Sequence, residues 1–289
     1  MRIDGTVAVV TGAERGLGAA LARVLARRGA RVVASGLARE PLEQLCATIE
    51  GDGGRALALP CDVRDQTQIT ALVTEVDRLC GRIDLLVNNA GVTAGGDIRL
   101  LAEADWEGVL QVNLLGSARM VRAVLPGMLA RRQGTILNVA SAAGLAAPAL
   151  WIPYAASKFA LVGFSEGLHA ALRPHGILVS VACPMWVETD MLTSVIPKLA
   201  DPPLPKAAAA RAPRGWAWLT SHVPGRHMAP ETAAQRMVRG IERERFMIYT
   251  HRTTHLVVVA RALAPELFAR LWQRVNEFDE RRHRQPPLR

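Results

Sequence analysis

Thr11-Gly12-Ala13-Glu14-Arg15-Gly16-Leu17-Gly18 is the stretch that decides the fold. It follows a β-branched run and opens a segment with helical spacing. Its glycines allow a tight turn at Gly12, close approach of the backbone to an anion at Gly16, and close helix–strand packing at Gly18. Because the exposed N–H groups at the start of such a helix bind phosphate groups, the stretch predicts a pyrophosphate site. Its GxxxGxG spacing is one residue longer than the GxGxxG fingerprint.

Short β-branched runs alternate with longer helical segments up to about residue 190. The predicted strands are Thr6–Thr11, Arg31–Ser35, Ala56–Leu59, Leu85–Asn88, Thr135–Ala140 and Ile177–Ala182. The predicted helices are Gly16–Arg28, Pro41–Glu50, Asp65–Cys80, Trp106–Arg131 and Tyr154–Arg173. Continuously apolar strands separated by helices are typical of a parallel sheet covered on both faces. With right-handed crossovers, this pattern predicts an α/β, single-domain, Rossmann-like doubly wound sheet.

The pattern changes near residue 191. We expect a Rossmann-fold catalytic domain over residues 1–250, a substrate lid within it at 191–230, and a C-terminal helical extension at 251–289. The lid is expected because seven prolines fall between Pro197 and Pro230, and a long irregular segment in a compact domain is usually a lid or a binding loop. Further elements are predicted for the rest of the chain: a helix at Glu231–Glu244, a strand at Phe246–Thr250, and a helical tail at Thr254–Arg282 interrupted at Pro265.

Composition narrows the class of protein. The chain has 289 residues and a net charge of +9, carried almost entirely by arginines spread along the sequence. Without a recognition motif, this charge does not favour nucleic-acid binding. The four cysteines fit no metal-ligand spacing, so we expect free thiols, no metal site and a reducing, cytoplasmic location. No apolar run has the length of a secretory signal or of a membrane span.

Tyr154-Ala155-Ala156-Ser157-Lys158 places a tyrosine and a lysine at positions i and i+4, on one face of a helix. Tyrosine alone has a pKa of about 10 and is a poor base at neutral pH. A nearby ammonium favours the phenolate and lowers that pKa. The pair therefore predicts a general acid–base.

The turn after the second strand bears on the choice of dinucleotide. Sites for NAD usually place an acid there, about 20 residues past the glycines. Here the turn reads Gly36-Leu37-Ala38-Arg39, with no acid. Arg15 and Arg39 are suited to a 2′-phosphate, which guanidinium groups bind well. The sequence therefore favours NADP(H) over NAD(H), although Arg39 could equally be a solvated residue at the start of a helix. We also expect Gly36→Asp to shift the preference toward NADH.

Taken together, these motifs resemble the short-chain dehydrogenase/reductase family in its compact single-domain branch. The resemblance covers residues 6 to about 190 and rests on several stretches in the expected order: Thr11–Gly18, Asp62-Val63, Asn88-Asn89-Ala90-Gly91, Asn113, Ser141, and Tyr154 through Lys158. It implies an oxidoreductase in which Tyr154 moves the proton and Lys158 binds the nicotinamide ribose and tunes Tyr154. Ser141 would hydrogen-bond the substrate oxygen. Asn113 would hold a water that links Lys158 to solvent.

The resemblance also implies the cofactor cleft. Asp62 would contact the adenine with Val63 beside it, and Thr189 would contact the carboxamide or the pyrophosphate. The full expected set of cofactor-binding residues is Gly12, Arg15, Gly16, Leu17, Gly18, Arg39, Asp62, Val63, Asn89, Ala90, Gly91, Tyr154, Lys158, Pro184, Val187 and Thr189. Met185 departs from the family pattern, because it stands where a glycine usually follows Pro184. A positive φ at this position would strain a methionine, whereas an ordinary φ would place its side chain in the pocket.

Apolar residues dominate the expected substrate site, which consists of Ser141, Leu145, Trp151, Met185 and Trp186, with Trp216 and Trp218 as lid aromatics. Such walls predict a bulky, uncharged ketone, aldehyde or secondary alcohol. The alternative is a dinucleotide-binding sensor or scaffold with little turnover. The tail carries an apolar stripe: Leu256, Val259, Leu263, Leu267, Phe268, Leu271, Trp272 and Val275. We expect a homodimer or homotetramer, with contact of the basic tail helix with a membrane surface as the less favoured possibility.

Overall fold

A computed structural model describes residues 1–189 and 228–283, with side chains to residue 274. Most of the predicted lid, including Trp216 and Trp218, lies outside the described residues, as does the side chain of Val275. The strands form one parallel sheet in the order β3-β2-β1-β4-β5-β6-β7. They are β1 Val7–Thr11, β2 Arg31–Ser35, β3 Arg55–Ala58, β4 Leu85–Asn88, β5 Gly134–Val139, β6 Ile177–Cys183 and β7 Met247–Tyr249. The doubly wound sheet predicted from the sequence is confirmed.

Helices cover both faces of this sheet. They are α1 Gly16–Arg27, α2 Arg39–Gly51, α3 Gln66–Cys80, α4 Glu103–Leu110, α5 Ser117–Arg131, α6 Ile152–Leu172, α7 Pro230–Glu242, α8 Arg252–Leu263 and α9 Pro265–His283. Leu21 and Leu42 pack on one face of the sheet with Met237 of α7. Ile69 and Met120 pack on the other face. Because both faces are buried, β1 and β4 consist almost entirely of apolar residues.

The crossover from β3 to β4 creates the switch point of the sheet. The chain leaves the β3 edge and returns on the other side of β1, so β1 pairs with both β2 and β4. Thr11 at the end of β1 therefore lies beside the end of β4, and its hydroxyl accepts hydrogen bonds from the backbone N–H groups of Asn89 and Ala90, both at 3.0 Å. In open α/β sheets, ligands bind in the crevice at this point.

One predicted helix differs from the structure, and the predicted break in the tail is found. Trp106–Arg131 was expected as one helix, but α4 and α5 are separated by a π-helical turn, Gln111–Gly116. Hydrophobic periodicity does not reveal one inserted residue, and such turns are frequent at functional sites. The tail is interrupted at Pro265 as predicted, because α8 ends at Leu263 and α9 begins at Pro265. Proline has no N–H and favours the first position of a new helix.

Candidate active site

A cavity of about 790 Å³ opens at the carboxyl ends of the strands. Most of the expected site residues line it: Gly12, Arg15, Gly16, Leu17, Gly18, Asp62, Val63, Asn89, Ala90, Gly91, Ser141, Leu145, Trp151, Tyr154, Lys158, Pro184, Met185, Trp186, Val187 and Thr189. Arg39 and Asn113 do not belong to its described lining. The sequence motifs thus converge on one cleft, as expected for loops that leave neighbouring parallel strands.

The glycine loop leaves the start of α1 open to a ligand. Arg15 stands at the N-cap without a capping hydrogen bond from its side chain, and the first turn contains no acid. Gly12 and Gly16 have positive φ values of 61° and 55°. A side chain at Gly18 would approach the Gly12 carbonyl carbon to 2.8 Å. These features leave backbone N–H groups available to a pyrophosphate, as the loop sequence predicts.

Ser141 and Tyr154 meet at the other end of the cavity. Ser141 follows β5 and accepts a hydrogen bond from the N–H of Ala143 at 3.1 Å. Its hydroxyl is hydrogen-bonded to that of Tyr154 on α6. Tyr154 is only 9% exposed. Burial is the largest influence on the Tyr154 side chain and raises its pKa, whereas the bond to Ser141 lowers it. A tyrosine in this setting is a protonated acid at neutral pH.

Lys158 lies one helical turn beyond Tyr154 and is buried. Its Nζ donates to the carbonyl oxygen of Val139 at 2.8 Å and lies 5.6 Å from the centroid of the Tyr154 ring. Burial lowers the pKa of Lys158 from 10.5 to about 8. The expected lowering of the Tyr154 pKa by Lys158 is not found in the protein alone, where burial raises the pKa of Tyr154 and lowers that of Lys158.

Asn113 lies behind the cavity wall, in the π-helical turn. Its amide donates to the carbonyl of Val92 and to Ser157 Oγ, both at 2.9 Å. Its Oδ1 accepts from the N–H of Val92 at 2.8 Å. A side chain at Gly91 would lie 3.4 Å from this oxygen and 3.6 Å from Lys158 Nζ. Asn113 therefore joins the loop after β4 to the helix that carries Lys158.

Charged residues surround the end of the cavity near β2. Asp62 binds the guanidinium of Arg64 through contacts of 2.6–3.0 Å, which lower the pKa of its carboxyl. Arg39 instead pairs with Glu43 at 3.4 Å on α2, where its side chain is 68% exposed. This differs from its expected place in the cofactor site, because Arg39 begins a helix that points it toward solvent.

The carboxylate of Glu14 lies beside the turn after β2, whose own residues include no acid. Its Oε1 accepts from the N–H of Leu37 at 3.4 Å. Its carboxyl carbon lies 2.6 Å from the position that a Cβ at Gly36 would take. This acid comes from the glycine loop rather than from the strand end. The residues that follow β2 in the sequence therefore do not reveal it.

Met185 is accommodated without strain, because the positive φ of this segment, 56°, falls on Trp186. The N–H of Met185 donates to Thr250 Oγ1 at 3.3 Å, and its sulfur accepts from the hydroxyl of Thr253 at 3.5 Å. Farther along, Thr189 reaches the glycine loop, since its Cγ2 lies 3.4 Å from a Cβ built at Gly16. This segment therefore lies beside the glycine loop at one end of the cleft.

The C-terminal helices complete the cavity. Thr253, Thr254 and Val257 of α8 and Trp272 of α9 line it. The Trp272 indole N–H donates to the carbonyl of Ala147 at 2.7 Å. Sequence patterning identified this segment as amphipathic but could not show that one side of it faces the active site.

Five residues of the tail's apolar stripe are exposed and do not belong to the described lining of the cavity: Leu256, Val259, Leu263, Leu267 and Leu271. Within the part of the chain that the structure describes, no helix is long and apolar enough to cross a membrane. Among the same residues, no group of three or more acids, histidines or cysteines is arranged for a metal ion.

Comparisons with known proteins agree with this geometry. Residues 6–200 match the family described as short chain dehydrogenase. Ketoacyl reductase HetN of Nostoc sp. is 36% identical over 211 residues, which are 72% of this chain and 74% of that protein. The monensin polyketide synthase putative ketoacyl reductase of Streptomyces virginiae is 44% identical over 192 residues, or 65% of this chain and 73% of that protein.

Two solved structures resemble the fold over most of its length. A short-chain dehydrogenase/reductase from Burkholderia phymatum in complex with NAD has a TM-score of 0.79 and 32% identity, covering 92% of this chain and 96% of its own. An actinorhodin polyketide ketoreductase variant with NADPH has a TM-score of 0.73 and 34% identity, covering 86% of this chain and 96% of its own. The likeness therefore extends well beyond the glycine loop, over at least 86% of the chain.

The burial of Lys158 predicts a pH-dependent cost in stability. Below pH 8 the lysine is protonated in both states, so folding buries a charge at a cost of up to about 3 kcal/mol. Between pH 8 and 10.5 the unfolded chain keeps the proton that the folded chain has released, so stability rises with pH. We expect Lys158→Met to raise the free energy of unfolding at pH 7, with an advantage that shrinks as the pH rises through this window.

Urea unfolding of the two cofactor-free proteins between pH 7 and 10 measures this difference. The variant also leaves the carbonyl of Val139 without its lysine donor, a cost that does not depend on pH and can be subtracted. A constant difference between variant and wild type across the window would show that Lys158 does not titrate as the structure indicates.

Proposed function

Because the chain belongs to the short-chain dehydrogenase/reductase family, we propose that this NAD(P)-dependent oxidoreductase reduces a hydrophobic ketone or aldehyde, or oxidises the matching secondary alcohol. The observation that carries the proposal is the hydrogen-bonded pair of Ser141 and Tyr154 in the cavity, with Lys158 buried behind it. A dinucleotide sensor would need only the glycine loop. The arrangement of these side chains around one cavity favours catalysis instead.

The residues present fit a nicotinamide dinucleotide. The uncapped start of α1 suits a pyrophosphate, and Gly12 and Gly16 allow the backbone to approach it closely. When bound, the nicotinamide supplies or accepts the hydride. Thr189 and Val187 line the same side of the cleft and are assigned to the nicotinamide half. Lys158 is assigned to the ribose next to it.

Tyr154 delivers the proton in the direction of reduction. Its raised pKa keeps the hydroxyl protonated at neutral pH. The hydroxyl can therefore donate to a carbonyl oxygen as negative charge develops there, and Ser141 stabilises that charge with a second hydrogen bond. Lys158, with a pKa of about 8, is an effective proton source near neutral pH. Asn113 positions the loop beside Lys158 rather than contacting the reacting atoms.

The substrate side is apolar. Leu145, Trp151, Met185 and Trp186 surround the hydroxyls of Ser141 and Tyr154, and Val257 and Trp272 extend the wall from the tail. Pockets of this kind hold a bulky apolar group and fix it by a few polar contacts. Ketoacyl reductases recur among the relatives, which supports a ketone attached to a hydrophobic chain or ring.

The family does not decide between the two dinucleotides, since one solved relative is a complex with NAD and another a complex with NADPH. The sequence favours NADP(H), and Arg15, which lines the cavity, supports that preference. Arg39 does not support the preference for NADP(H), because it lies outside the described lining of the cavity. The carboxylate of Glu14 at the β2 turn opposes that preference.

Tyr154→Phe should abolish turnover, to below a few per cent of the wild-type rate, and leave dinucleotide affinity nearly unchanged. The substitution removes the proton donor but keeps the ring in place. Rates with a saturating reduced cofactor and equilibrium titration of the cofactor measure the two effects separately. A variant with substantial remaining activity would rule out Tyr154 as the general acid.

Bulky uncharged ketones should have higher kcat/KM values than small keto acids or sugars. Apart from Lys158, which is assigned to the ribose, none of the described side chains that line the cavity beside Ser141 and Tyr154 is basic. Trp272→Ala should raise KM for the bulky ketones more than it lowers kcat, since the indole lines the cavity without contacting the reacting oxygen. A matched substrate panel with both proteins tests this. Higher specificity constants for charged keto acids would contradict the apolar site.

The exposed leucines of the tail also predict self-association. We propose that this stripe and the helices α5 and α6 contribute to a homodimer or homotetramer, since an exposed apolar face of this kind is usually covered. Leu263 is 81% exposed in the single chain. Sedimentation at micromolar concentration should give a dimer or tetramer, and Leu263→Glu should weaken it. A monomer that floats with anionic vesicles would instead favour a membrane-facing tail.

A further inference from the structure

The end of the cavity near β2 contains a carboxylate whose position suggests a specific ligand. Glu14, Gly36 and Leu37 all line the cavity there. Dinucleotide folds place the ribose of the adenosine half at this turn, where an acid binds its hydroxyls. In this chain the strand-end residue is Gly36, and the acid that reaches the same place is Glu14.

The carboxylate of Glu14 is only half satisfied by the protein. Its Oε1 accepts one long hydrogen bond, 3.4 Å, from the N–H of Leu37. Its Oε2 is buried and has no hydrogen-bond partner. Because Oε2 packs against the backbone of Gly36, the oxygen that a ligand hydroxyl can reach is Oε1, whose one bond from the protein is long. The 2′-hydroxyl of an adenosine ribose supplies such a donor, whereas a 2′-phosphate supplies only negative charge.

Gly36 makes room for this acid. The glycine has no positive φ, so the backbone conformation does not require it. A Cβ at this position would instead overlap the carboxylate of Glu14, whose carboxyl carbon would be 2.6 Å away. In the usual arrangement the acid is the residue at the strand end. Here Gly36 stands at the strand end, and Glu14 of the glycine loop supplies the acid. The Gly36→Asp change that the sequence suggested would place a second carboxylate onto the first.

The neighbouring arginines do not cancel the repulsion between the Glu14 carboxylate and a 2′-phosphate. Arg64 is engaged by Asp62 through a pair of short contacts. Arg15 lies at the exposed rim of the loop, where solvent screens its charge more than it screens the buried Oε2 of Glu14. A phosphate at the ribose 2′ position would therefore meet the carboxylate first.

We propose that Glu14 replaces the strand-end acid of NAD sites, binds the adenosine ribose hydroxyls of NAD(H) and repels the 2′-phosphate of NADP(H). The enzyme would then use NAD(H) in preference to NADP(H). This inference rests on the dinucleotide site of the proposed function and specifies its selectivity.

Equilibrium titration of NADH and NADPH, followed by nicotinamide fluorescence, tests the proposal without relying on turnover. The wild-type protein should bind NADH at least about ten-fold more tightly than NADPH. Glu14→Gln keeps the shape and removes the charge, so it should raise the affinity for NADPH about ten-fold or more relative to NADH. Gly36→Ala should change the ratio in the same direction, because the new methyl group displaces the carboxylate.

Glu75→Gln is the matched control. It removes the same charge from an exposed acid on α3 that pairs with Arg78 outside the described cavity lining, and it should leave the ratio unchanged. Thermal unfolding confirms that each variant is folded. Tighter binding of NADPH by the wild type, or an unchanged ratio in both Glu14→Gln and Gly36→Ala, would overturn the role of Glu14 while leaving the dinucleotide site intact. Binding of neither dinucleotide would overturn the proposed function as well.

Discussion

The contact between the glycine turn after β1 and the end of β4 is the constraint on which the rest of the site depends. Thr11 holds the backbone of Asn89 and Ala90, and the Asn89 amide donates back to the carbonyls of Thr11 and Gly12 at 3.0 Å. A Cβ at Gly12 would approach the Cα of Ala90 to 2.8 Å. Only glycine allows this approach, which sets the start of α1 beside the loop that leads to Asn113 and Lys158.

A second constraint is burial on the catalytic side. The same apolar surroundings that hold the pKa of Tyr154 above its usual value lower that of Lys158 to about 8. At neutral pH the protein therefore holds a protonated phenol beside a lysine whose pKa is about 8. Burying the Lys158 charge reduces the stability of the protein alone, a trade-off common where function needs a buried charge.

The described cavity is a composite of the sheet and the tail. The loops after the parallel strands supply the glycine turn and Ser141, helix α6 supplies Tyr154 and Lys158, and the C-terminal helices supply Thr253, Thr254, Val257 and Trp272. Groups from the sheet and its helices are thus combined with a wall from a different part of the chain. This division matches the general rule that a fold carries many chemistries through the segments added to it.

The sequence by itself determined the sheet, its helices and the reacting side chains, because those depend on local periodicity and on short motifs. β2 and β4 fall at their predicted residues, Tyr154 and Lys158 line one cavity as their spacing indicated, and Ser141 lines it as the family resemblance implied. Only the tertiary structure decided the rest. Glu14 reaches Gly36 across 22 positions of sequence, Arg39 turns to solvent, and Trp272 returns to the cavity from the far end of the chain. Such contacts depend on how separate elements pack together, and no local pattern of residues encodes them.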